Sequence, residues 1–182
     1  MGKRRVLLLV LFIFCIPNYS IAKVISDDNG LITFETSDRW YLTSFGEDYL
    51  TYELISIALD DNTGIKVTQS KFYTKYKNFG QASDTEKSEL RDCIIRYYLN
   101  LFKLKGYICT INKTECAKNS ITIGFTVKKN SFIGKIVTGS YIKDYIVYNI
   151  VVFCNDETAV EAMGTLKTLK VDGVTFDRWI MQ

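Results

Sequence analysis

Tyr145-Ile146-Val147-Tyr148-Asn149-Ile150-Val151-Val152-Phe153 is the stretch that decides the fold. Its apolar side chains fall on both parities, so neither face of an extended chain through it can be left to water. That is the pattern of a central strand covered on both sides. A sheet with a layer on each face is expected, and the flanking segments say what the layers are.

The first layer lies upstream. Ser83 with Glu86 three residues on forms a capping box. Leu90, Cys93, Ile94, Tyr97, Leu101 and Leu104 then recur at three- and four-residue steps, which predicts one apolar stripe on a helix. Lys103 and Lys105 suit its last turn, and Gly106 stops it. Downstream, Asn155 or Asp156 is expected to cap a second helix reaching about Leu169. Ala159, Val160, Met163 and Leu166 should face the sheet, with Gly164 allowing close packing and Asp172-Gly173 ending the helix.

Further strands surround these helices. Asp27-Asp28-Asn29-Gly30 reads as a turn, Leu31 to Glu35 as a strand stopped by Asp38-Arg39-Trp40, and Tyr49 to Leu59 as a longer one. Asp60-Asp61-Asn62-Thr63-Gly64 turns the chain into Ile65 to Gln69, Gly64 supplying the backbone freedom of a tight hairpin. Tyr107–Ile111, Ser120–Lys128, Phe132–Ser140 and Asp144–Cys154 are rich in β-branched and aromatic residues, with Lys128-Lys129-Asn130-Ser131 as a hairpin turn. Strands, helix, strands, helix: the order predicts an α+β fold, a mostly antiparallel sheet with helices on both faces.

The amino terminus reads as a secretory leader over residues 1–22. Lys3, Arg4 and Arg5 are its basic part, Val6 to Ile16 its apolar part, and Ser20-Ile21-Ala22 the small-x-small site, with cleavage expected between Ala22 and Lys23. The apolar run is about half a membrane span, so no stable membrane anchor is expected. Ile13 and Phe14 before Cys15 do not suit lipidation. Residues 23–182 are then one domain, periplasmic or secreted. The leader removes three cations and no acid, so the 23 basic and 20 acidic residues of the whole chain become balanced. No global field remains to favour nucleic acid.

Cysteine and histidine narrow the chemistry. Cys93, Cys109, Cys116 and Cys154 remain after the leader, and an even count in an exported chain points to two disulfides. A turn at Asn112-Lys113-Thr114 would join Cys109 to Cys116, leaving Cys93, on the helix stripe, for Cys154. The other pairing is Cys93–Cys109 with Cys116–Cys154. The chain has no histidine, which removes Ser-His-Asp and Cys-His machinery and His-ligated zinc. The cysteines lack the close spacing of a structural zinc site, and no metal or other cofactor is expected. Asp60 to Gly64 departs from the EF-hand spacing, with Gly64 fifth and Lys71 twelfth. Glu35, Glu53 and Asp144 are single strand acids that alternation turns toward solvent.

These segments resemble the PsbP-like family, which includes bacterial DcrB-like exported proteins. The resemblance rests on a first strand ending in a Trp (Ile32 to Trp40), a strand–turn–strand of Ile57-Ala58-Leu59-Asp60 and Ile65-Lys66-Val67, a mid-chain helix before a β-meander, and the closing Thr158 to Leu169 helix. It implies an α/β/α sandwich and binding or assembly work without a shared catalytic centre, and no functional residue carries over. The four cysteines and the long capped helix are departures from it.

Lys71-Phe72-Tyr73-Thr74-Lys75-Tyr76-Lys77-Asn78-Phe79 is the candidate binding stretch, with Lys71, Phe72, Tyr73, Lys75, Tyr76 and Lys77 as its candidate contacts, because cations interleaved with aromatics offer stacking surfaces beside charge. Its bland alternative is a strand end with rings packed inward and lysines solvated. Asn112-Lys113-Thr114 is also a glycosylation sequon. The expectation is an exported, non-enzymatic binding or assembly protein, its partner a protein or envelope component. The alternatives are a secreted inhibitor or immunity factor, and a small carboxylate- or cysteine-dependent enzyme.

Overall fold

The computed structural model describes residues 23–46 and 49–179. The expected leader lies outside them. Among the described residues the strands form two antiparallel sheets. The larger runs β3 (Tyr41–Thr43), β4 (Thr51–Asp60), β5 (Thr63–Tyr73), β9 (Ile146–Cys154), β8 (Phe132–Lys143), β7 (Ser120–Lys129) and β6 (Ile108–Cys116) from edge to edge. The expected central strand, β9, has β5 and β8 on its two sides.

Helix α1 (Asp84–Leu104) lies on one face. Its capping box forms as the sequence predicts: Ser83 Oγ accepts from the Glu86 N–H at 3.3 Å, and the Glu86 carboxylate accepts from the Ser83 N–H at 2.9 Å. The other face carries α2 (Ala159–Leu166), the short α3 (Phe176–Trp179) and the small sheet β1 (Lys23–Ser26), β2 (Ile32–Thr36), β10 (Lys170–Val171) and β11 (Val174–Thr175). Helices therefore cover both faces of a mostly antiparallel sheet, as expected.

β9 shows why both its parities are apolar. Ile150, Val152 and Cys154 belong to the core beneath α2 and the small sheet, with Phe34, Trp40, Ile57, Ile65 and Leu169. Val147 and Val151 belong to the core beneath α1, with Tyr98, Phe102, Ile121, Ile123 and Phe125.

Several expectations need correction. The buried stripe of α1 is Tyr98 and Phe102, about one residue round from the expected Tyr97–Leu101 line, and Leu104 is 86% exposed. Those two rings pack on Phe125 at centroid distances of 6.0 and 5.6 Å, and their size sets the rotation. In α2, Ala162 and Thr165 are buried while Val160 is 86% exposed. Gly164 faces open space, so no close packing rests on it. Gly64 acts by close approach rather than as a turn residue. A Cβ there would meet Phe153 at 2.6 Å, the Ile57 carbonyl at 2.8 Å and Phe45 at 2.9 Å.

Neither expected disulfide forms; all four thiols are free. The expected turn at Asn112 is a bulge between Ile111 and Lys113, through which β6 continues unbroken. Cys109 and Cys116 thus sit on one strand, separated by roughly 20 Å at the usual rise per residue, where a disulfide needs Cα atoms within about 7 Å. Cys93 is exposed on α1, while Cys154 is buried in the core on the opposite face of the sheet. The Cys93–Cys109 and Cys116–Cys154 pairs are not made either.

A cleft between helix and sheet, and a PsbP-like fold

Helix α1 covers only part of its face. Register lines the side chains up in rows across the sheet. One row runs Glu53, Thr68, Asn149, Ser140 and Ile121; the next runs Ser56, Lys66, Val151, Thr138 and Ile123. The β7 end of each row is apolar and lies beneath α1, whereas the β4 and β5 end is polar. Over that polar end folds the connection from β3 to β4. Phe45 stands edge-on to Phe153 at 4.8 Å, and its N–H donates to Glu53 Oε2 at 3.2 Å. Lys66 Nζ, 3.3 Å from the same carboxylate oxygen, also donates to the Gly46 carbonyl. Glu53 is therefore not the solvent-facing acid that alternation suggested. It is largely buried in an ion pair that fastens the connection to the sheet.

Between this connection and α1 a cleft of about 320 Å³ remains open. Tyr97, Tyr98, Leu101 and Phe102 form the helix wall, and Phe45 stands on the other side. Lys66, Thr68, Asn149, Val151 and Phe153 make the floor, with Phe132 and Tyr107 at the end near β6. Its volume is at the small end of ligand sites, which run roughly 300–1,000 Å³ and combine apolar walls with a few placed polar groups. A second hollow of about 260 Å³ lies on the opposite face, between α2, α3 and β8.

The candidate stretch Lys71–Phe79 lies elsewhere, at the end of β5 and in the segment beyond it. Lys71 stands over the Tyr52 ring at 4.8 Å. Lys75 pairs with Glu86 at 2.7 Å and lies over the Tyr76 ring at 4.9 Å. That contact, strengthened by Tyr76 and Ser83, holds the Glu86 carboxyl well below the usual range and pushes the Lys75 ammonium up. Lys77 faces Asp144 at 4.0 Å. Phe79 is buried in the α1 core and Tyr76 packs against it, whereas Phe72 and Tyr73 are exposed, Tyr73 by 79%. Backbone bonds set this stretch beside Leu50 and Tyr145. The stretch thus places two rings outward and two inward, and sends its three cations to three different partners.

The sequence did carry a signal for the cleft floor. Lys66 and Thr68 alternate with Ile65 and Val67, and Asn149 is the one polar residue within the apolar β9 run. Among the described residues no group of three or more His, Cys, Asp or Glu side chains is placed to hold a metal ion. No helix among them is long and apolar enough to cross a membrane.

An α-layer on one face of a seven-stranded antiparallel sheet, with helices and a small sheet on the other, is the PsbP-like architecture, and this chain has that fold. The structure is similar to the solution structure of cyanobacterial PsbP (CyanoP) from Synechocystis sp. PCC 6803. The TM-score is 0.57 at 8% sequence identity, covering 84% of this chain and 93% of that one. A crystal structure from Bacteroides thetaiotaomicron VPI-5482 matches at a TM-score of 0.46 and 9% identity, covering 82% of this chain and 48% of that one. No known family profile and no curated protein matches the sequence.

Proposed function

We propose that this is an exported, non-enzymatic binding protein that works through the cleft between α1 and the sheet. The observation that supports this reading is a cavity with aromatic walls and a floor of three polar side chains, held open by two separately anchored supports. Glu86 and Lys75 fix the start of α1, and Glu53 and Lys66 fix the β3–β4 connection. Anchored walls reduce the ordering cost that a ligand would otherwise meet. Export rests on the leader over residues 1–22. The exposed rings of Phe72 and Tyr73, rather than the paired lysines beside them, are the proposed contact with a protein or envelope partner.

Titration with N-phenyl-1-naphthylamine, a neutral probe that fluoresces when taken out of water, tests the cleft. Binding to the mature protein is expected, and Val151→Trp, which fills the floor, should weaken it at least tenfold with thermal unfolding still cooperative. Absence of probe binding, or equal binding by the filled variant, would overturn the reading.

A further inference from the structure

The cleft's polar groups say more about its occupant than its rings do. Two of the three lysines that line the cleft are held in ion pairs. Lys66 is paired with Glu53 and Lys135 with Asp156, while Lys105 and Asp61 both stand on the lining. The local charge is therefore balanced, and a charged ligand would lose hydration without a net opposite field to replace it. The uncharged floor groups differ. Asn149 Oδ1 accepts from Ser140 Oγ at 2.7 Å, which occupies the carbonyl end of the carboxamide. Its NH₂ and the Thr68 hydroxyl have no hydrogen-bond partner among the described residues, and both residues line the cleft. They face one another across the β5–β9 register, so both donors converge on one point of the floor.

Resting on the binding role proposed above, we infer that the ligand is an uncharged planar molecule of two or three rings carrying a carbonyl-type acceptor. Its rings lie between Phe45, Phe153 and the Tyr98–Phe102 wall of α1. Its acceptor takes hydrogen bonds from the Asn149 carboxamide and the Thr68 hydroxyl. A volume of about 320 Å³ leaves little room for anything larger.

Three naphthalene probes separate the possibilities. Prodan is neutral and carries a ketone, 2-dimethylaminonaphthalene is its ketone-free counterpart, and anilinonaphthalene sulfonate carries a charge. Prodan is expected to bind tightest, by about three- to tenfold over the ketone-free probe, the worth of one or two neutral hydrogen bonds. Asn149→Asp keeps an oxygen for Ser140 but removes the NH₂. It should erase that advantage, read as the ratio of prodan to ketone-free probe affinity within the same variant, and Thr68→Val should lower the ratio in part. If the two neutral probes bind equally and neither variant alters their ratio, the inference fails while the cleft remains a binding site. Tighter binding of the sulfonate also overturns the inference, in favour of an anion site. If no probe binds, the inference and the binding role fall together.

Discussion

The two faces of the large sheet are built to different ends. One is sealed apart from the smaller hollow beside α3: α2 and the small sheet bury Phe34, Trp40, Ile57 and Ile65 completely. Glu161 on α2 closes its corner by accepting from Trp40 Nε1 at 3.2 Å and Ser37 Oγ at 3.1 Å, and by pairing with Arg39. The other face is half covered. Helix α1 packs its rings onto Phe125 of β7, but leaves Lys66, Thr68 and Asn149 on β5 and β9 facing the open cleft. The sealed face supplies the cohesion that lets the other afford an open cleft. Stability and binding should therefore separate by face when single side chains are removed.

The largest effect is expected on the sealed side. Phe34→Ala should cost about 3–5 kcal/mol in urea unfolding, the usual loss for a fully buried ring. A loss under about 1 kcal/mol would mean that this face is not the structural one. Gly64 sits where the two regions meet, beneath Phe45 and Phe153. Gly64→Ala should cost about 1–3 kcal/mol by overpacking, because the Ile57 carbonyl at 2.8 Å is backbone and cannot swing away. It should also disturb probe binding. Unchanged stability would show that the cleft wall yields freely.

The pH dependence follows from Glu86, whose folded carboxyl is held below its ordinary value of about 4.3 by Lys75, Tyr76 and Ser83. A depressed folded pKa adds stability that is present above the unfolded value and lost as pH falls through the folded one. The melting-temperature gap between the native chain and Glu86→Gln should therefore be widest near neutrality and narrow below about pH 4. A gap independent of pH would remove the carboxylate from the account. The smallest effect is expected from replacing Lys71, Lys75 and Lys77 together by Gln. Binding to dextran sulfate should change by less than about threefold, since exposed paired cations contribute little. A tenfold loss with a flattened salt dependence would make that stretch a polyanion site.

The sealed face was the easier one to read from sequence. β9 is apolar on both parities because both of its faces are buried, and the α1 cap is a local motif whose partners lie three residues apart. The rotation of α1 was less legible, since Tyr97, Tyr98, Leu101 and Phe102 are all apolar and only packing on Phe125 chooses among them. The cysteine pairings failed because the Ile111–Lys113 bulge carries a strand through what composition offered as a turn. The cleft floor is assembled from Lys66, Thr68 and Asn149 by strand register, a long-range fact that the local pattern hints at without joining.

The separation of the two faces can be read most directly by NMR chemical-shift mapping of the mature protein titrated with prodan. The predicted footprint is Thr68, Val151 and Phe153 on the floor with Tyr98, Leu101 and Phe102 on α1, while Phe34, Ile57 and Val171 on the sealed face stay still. Shifts centred on the sealed face, or on Phe72 and Tyr73 with the cleft silent, would contradict the account.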